Sequence, residues 1–83
     1  MGKNVIWRPE ARAQLRAIDQ VTALRILRAL DRYLDTGEGD VKRLQNIEPP
    51  EFRLRVGDYR VRFQEHEGSI RIAAVKHRRE AYR

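Results

Sequence analysis

Cysteine is absent from the sequence, which rules out a disulfide framework and a thiol nucleophile. His66 and His77 are the only imidazoles. They are too few for the usual nitrogen–sulfur zinc sites, so neither a metal nor another cofactor is expected. No apolar run approaches the roughly eighteen residues that span a bilayer. The opening Met1-Gly2-Lys3-Asn4-Val5 lacks the apolar stretch of a secretory signal, and a cytoplasmic protein is the expectation. Aromatic side chains are also scarce, with one Trp, three Tyr and two Phe. Repeats, low-complexity tracts and long linkers are missing too.

What remains is charge. Lys and Arg number 18 against 12 Asp and Glu, a net charge of +6, and most of the cations are arginine. The planar guanidinium grips phosphate or carboxylate through two parallel hydrogen bonds, so this bias suits an anionic partner. At 83 residues the chain forms one domain, residues 1–83, whose small core needs nearly every apolar side chain. Functional chemistry therefore has to come from polar residues.

The apolar pattern is helical first and alternating later. Val5, Ile6 and Trp7 fit a short first strand. Pro9 stands where the first turn of a helix tolerates it, and Ala11, Leu15 and Ile18 follow at helical spacing. Asp19 either ends this helix or caps the next. Val21, Leu24, Leu27, Leu30 and Leu34 define a second helix, with Ile26, Ala29 and Tyr33 widening its buried face. Gly37 terminates it, since glycine takes the left-handed conformation at a helix end. So short a connection predicts an antiparallel helical hairpin. Residues 37–50 read as irregular, closing with Pro49-Pro50. Three alternating runs follow, separated by Gly57-Asp58 and Glu67-Gly68 as two-residue turns. The expected fold is α+β: a strand, a helical hairpin, then a three-stranded antiparallel meander.

The Gly57-Asp58 turn sets the register of the first hairpin. It places Arg55 opposite Arg60 and Arg53 opposite Arg62, and opposed residues point to the same side of a sheet. The four arginines then share one face, and Phe52, Tyr59 and Phe63 share the other with the core. These strands are expected to supply no neutralising carboxylate there. Extending the parity to the third strand brings Arg62 to Ala73 and Arg60 to Val75, with Gln64 and Arg71 at the far end and His77 on the arginine face. With the aromatics on the core side, phosphate contacts rather than base stacking are expected.

The hairpin Phe-Arg-Leu-Arg-Val-Gly-Asp-Tyr-Arg-Val-Arg-Phe (52–63) is followed by a strand ending Lys-His-Arg-Arg-Glu-x-Tyr-Arg (76–83). Together with the helical region after Arg8-Pro9-Glu10-Ala11, this resembles the RelE/ParE superfamily of toxins, its RelE-like branch in particular. The resemblance implies a sheet with the two helices packed on one face, and a toxin of a type II toxin–antitoxin system. Such a toxin would be a ribosome-dependent endoribonuclease that cuts messenger RNA and is restrained by a cognate antitoxin. It implies catalytic roles for Arg60, Arg78 and Tyr82, with His77 as the alternative proton-transfer group. RNA-binding roles fall to Arg53, Arg55, Arg62, Lys76 and Arg79; Lys42 and Arg43 either assist RNA or ribosome binding or belong to a merely solvated loop. In the best-known RelE members the positions of Arg53 and Arg55 are lysines; arginine keeps the charge but not the ready titration. The competing expectations are a ParE-like inhibitor of DNA gyrase and an inactive module that only binds the antitoxin.

Overall fold

The computed structural model describes residues 4–81. In chain order the elements are β1 (Asn4–Trp7), α1 (Pro9–Arg16), α2 (Gln20–Thr36), β2 (Asp40–Arg43), β3 (Glu51–Val56), β4 (Tyr59–His66), β5 (Ser69–His77) and a single turn, α3 (Arg78–Ala81). Proline opens α1, where its missing N–H costs nothing. Asp19 caps α2: its Oδ2 accepts a 3.0 Å hydrogen bond from the Thr22 N–H. Gly37, at φ 79°, ends α2 while its N–H bonds the Tyr33 carbonyl.

The strands form one sheet in the order β1-β5-β4-β3-β2. β2 through β5 run antiparallel to their neighbours, and β1 joins the far edge parallel to β5. α1 packs against β5 and α2 against β3, so the helices cover one face. Beneath them lies a core of Ala11, Ile26, Leu30, Leu54, Val61, Phe63, Ile70, Ile72 and Val75, all buried. Phe63 is its centre, with Phe52 stacked at 5.6 Å and Tyr33 tilted at 5.5 Å between ring centroids.

Four features depart from the sequence reading. Residues 40–43 form a strand rather than loop, which makes the meander four-stranded. The buried face of α2 centres on Ile26 and Leu30, whereas Val21, Leu24 and Leu27 are exposed. A short helix, α3, follows β5. Finally, a bulge interrupts the β4–β5 ladder: Phe63 pairs with Ile72, but Arg62 pairs with Ala74 and Arg60 with Lys76. Ala73 is the extra residue. Arg62 therefore does not meet Ala73, nor Arg60 Val75, and every side chain beyond the bulge changes face relative to simple alternation.

Candidate nucleic-acid interface

The face away from the helices is assembled by register. On β3 and β4, Arg55 lies opposite Arg60 and Arg53 opposite Arg62, as the two-residue turn requires. β2 extends the row, with Lys42 opposite Arg53 and Asp40 opposite Arg55. On the other side, the bulge brings Lys76 opposite Arg60, and Arg71 lies opposite Gln64. Lys42, Arg53, Arg55, Arg60, Arg62, Arg71 and Lys76 thus share one surface. No Phe, Tyr or Trp ring stands among them at the described positions of these strands, and His66 at the end of β4 is the one imidazole there, so the surface offers charge rather than a stacking platform.

This face is not free of acids, contrary to the sequence reading. Glu51, opposite Gln64, belongs to it, and its Oε2 accepts a 3.0 Å hydrogen bond from Nη2 of Arg62. Glu51 is only 8% exposed, so the pair neutralises a carboxylate that would be costly to bury alone. Asp40 lies at the opposite edge. Two acids leave a large cationic excess on this surface. The Glu51 signal was present in the sequence, because residue 51 shares parity with 53 and 55; the strand simply begins earlier than the apolar alternation shows.

Arg60 is not on an uncovered surface either. It is 4% exposed, and its Nη1 donates to the carbonyls of Gly57 and Tyr59, each at 3.0 Å. The guanidinium is therefore fixed against the hairpin turn, a positioned cation rather than a mobile one. Arg55, Arg62, Arg71 and Lys42 are exposed, and Arg53 and Lys76 are half-buried.

The end of β5 separates residues that the sequence reading placed together. His77 pairs with Tyr59 and meets its ring edge-on at 5.3 Å. It therefore projects to the side of Tyr59, not with the arginines, because the bulge reverses its parity. Its Nδ1 accepts a 3.2 Å hydrogen bond from the Arg79 N–H, which makes it a cap for α3. The Arg78 N–H donates to the Asp58 carbonyl at 2.7 Å, tying the start of α3 to the β3–β4 turn. Arg79 and Glu80 border a shallow hollow with Tyr59 and His77. Arg43 faces away from the cationic row, opposite Phe52. Tyr82 lies outside the described residues.

The structure is thus a two-layer α+β domain whose sheet face away from the helices is strongly cationic. The family model described as ParE toxin of the type II toxin–antitoxin system, parDE, matches residues 5–82, and the chain belongs to that family, within the RelE/ParE superfamily. Among solved structures, the archaeal RelE–RelB complex from Pyrococcus horikoshii OT3 contains a chain with a TM-score of 0.79 at 24% identity, covering 94% of this chain and 97% of that one. The RelB–RelE antitoxin–toxin complex from Methanococcus jannaschii gives 0.77 at 18% identity over 93% and 94% of the two chains. The YoeB dimer from Staphylococcus aureus gives 0.75 at 18% identity over 93% and 98%. Identities this low show a shared fold. Curated proteins provide no match.

Proposed function

We propose that this toxin is a metal-independent endoribonuclease that cuts messenger RNA on the ribosome. The observation that carries the reading is the cross-strand gathering of Lys42, Arg53, Arg55, Arg62 and Lys76 around the fixed guanidinium of Arg60. Like charges on facing positions repel, and a polyanion laid across them relieves that repulsion while releasing counterions.

RNA carries its own nucleophile. The 2′-oxygen attacks the adjacent phosphorus as its proton leaves to a base. The bond from phosphorus to the 5′-oxygen breaks, and that oxygen takes up a proton, leaving a cyclic phosphate and a 5′-hydroxyl. Arg53, Arg55, Arg62 and Lys76 hold the backbone, and Arg79 assists from α3. Arg60 and Arg78 stabilise the charge that builds on the phosphate, the role in which preorganised cations act most strongly. Tyr82 is the proton-transfer group in this scheme. His77 suits it less, because its Nδ1 already caps α3 and its ring packs on Tyr59.

A cognate antitoxin is the proposed protein partner, in keeping with the RelB complexes of the similar structures. An acidic, amphipathic segment matches the exposed Val21, Leu24 and Leu27 of α2, which lie among Arg25 and Arg28.

The test is toeprinting of messenger on programmed ribosomes. Cleavage by the purified protein, lost in Tyr82→Phe and Arg78→Ala, is the expected result. The match to the ParE family favours one second reading, inhibition of DNA gyrase. Stalled gyrase with intact messenger would establish that reading and end the first.

A further inference from the structure

α3, the single turn after β5, is too short to hold its own shape. It has four residues, and a helix of that length does not recover the cost of nucleation from its own hydrogen bonds. What fixes it lies outside it. The Arg78 N–H donates to the Asp58 carbonyl at 2.7 Å, and the Arg79 N–H donates to Nδ1 of His77 at 3.2 Å. The first bond secures one point and leaves the turn free to swing about it. The second, from the capping position, sets its direction. Asp, Asn, Ser and Thr are the usual residues at such a position. An imidazole adds a ring, and this ring stands edge-on to Tyr59 at 5.3 Å and 84°.

The contacts converge on three consecutive residues. The carbonyls of Gly57 and Tyr59 each hold Nη1 of Arg60 at 3.0 Å. The carbonyl between them, that of Asp58, holds the start of α3, and the Tyr59 ring holds the His77 ring. Asp58 is two residues from Arg60, at most about 7 Å along the chain. The guanidinium of Arg60 and the backbone that carries Arg78 are therefore both anchored at the β3–β4 turn.

The tautomer of His77 follows. A neutral imidazole has one donor and one acceptor nitrogen, so accepting at Nδ1 leaves the proton on Nε2. The ring can take a further proton only at Nδ1, by giving up Arg79. Capping and proton uptake exclude each other at this residue.

We infer that His77 is a positioning residue that acts through α3: braced by Tyr59, it aims the turn that brings Arg78 to the phosphate held at Arg60. The inference rests on the nuclease reading of the cationic face, and it gives His77 a part in that reaction that moves no proton.

A double-mutant cycle in RNA binding tests it, read by fluorescence anisotropy with the full chain and a short single-stranded oligoribonucleotide. Arg78→Ala should weaken binding about tenfold, the size of one charge-assisted hydrogen bond. In a His77→Ala background the same change should cost less than about twofold, because Arg78 is no longer aimed. His77→Asn is the decisive variant. Its carboxamide oxygen stands as many bonds from the backbone as Nδ1, is a good capping acceptor, and does not titrate. It should restore the effect of Arg78→Ala and the protection of the Arg79 amide from hydrogen exchange, both of which His77→Ala loses. His77→Phe keeps a ring against Tyr59 without the acceptor and should behave as His77→Ala does.

On programmed ribosomes, His77→Asn should cleave messenger as the wild type does. Loss of cleavage in His77→Asn with RNA binding intact would make His77 a proton-transfer group and overturn the inference. A full cost of Arg78→Ala in the His77→Ala background overturns it too. Either result leaves the nuclease reading standing. The expected coupling in binding, with no cleavage by the wild type, upholds the role of His77 and ends the nuclease reading. A wild type that binds no RNA ends both.

Discussion

The side-chain oxygen of Gln14 accepts a 2.7 Å hydrogen bond from the backbone N–H of Val75. The contact joins α1 to β5 just past the bulge at Ala73. β1 stops at Trp7, opposite Ile72, and gives way to α1 at Pro9, so further along β5 a helix side chain supplies the acceptor that a strand would have provided. Because the bulge is what turns Lys76 towards the arginines, Gln14 supports the cationic face from the opposite side of the sheet. Gln14→Ala leaves the part-buried Val75 amide without this acceptor, at a cost of about 1–3 kcal/mol. Urea denaturation measures the loss, and hydrogen exchange should show faster exchange at Val75 in particular. Unchanged exchange there would remove Gln14 from this role.

Arg62 and Glu51 should respond unequally to substitution. Arg62→Ala strands a carboxylate that is only 8% exposed, and a loss of about 1–3 kcal/mol is expected in urea denaturation. Glu51→Gln keeps an acceptor for Arg62 while removing negative charge from the face. It should destabilise less and bind RNA more tightly. Weaker binding by Glu51→Gln would mean that the carboxylate takes part in recognition.

Tyr33 predicts alkaline behaviour. Its hydroxyl donates to Glu65 Oε1 at 2.8 Å. Burial first, and then the Glu65 carboxylate, raise the phenol from 10.0 to about 12. Folding therefore favours the protonated phenol. That stabilisation is complete below pH 10 and is lost as the pH climbs towards 12. Ultraviolet titration should show one tyrosine ionising late, and Tyr33→Phe should abolish that late step together with its share of the alkaline loss of stability.

Salt dependence separates the two faces of the sheet at its β2–β3 edge. A lysine or arginine that contacts a phosphate of single-stranded RNA contributes about 0.7 to the slope of log affinity against log salt. Lys42→Ala and Arg55→Ala should each lower the slope by that amount. Arg43→Ala, pointing to the other side opposite Phe52, should leave it unchanged. An equal decrease in all three would mean diffuse attraction by net charge rather than contacts on one face.

Much of this architecture was legible in the chain itself. The Gly57-Asp58 turn and the period-two alternation around it determined which arginines meet, because a two-residue loop permits one pairing and pairing dictates face. Pro9, Asp19 and Gly37 marked helix ends through local backbone chemistry. β2 was less visible: Asp40-Val41-Lys42-Arg43 has one apolar residue, and its strand conformation depends on the hydrogen-bonding edge of β3.

Other features had no local signature. Ala73 and Ala74 are small enough for either face, so nothing in Ile-Arg-Ile-Ala-Ala-Val announces which alanine the ladder skips. The choice belongs to the assembled sheet, and it settles both the arrival of Lys76 among the arginines and the departure of His77 to Tyr59. The burial of Arg60 and its bonds to Gly57 and Tyr59 likewise emerge only when the hairpin has closed. Side-chain period and turn length are properties of neighbouring residues and can be read in order. Bulges and buried cations are compromises between distant segments, and they exist only once those segments touch.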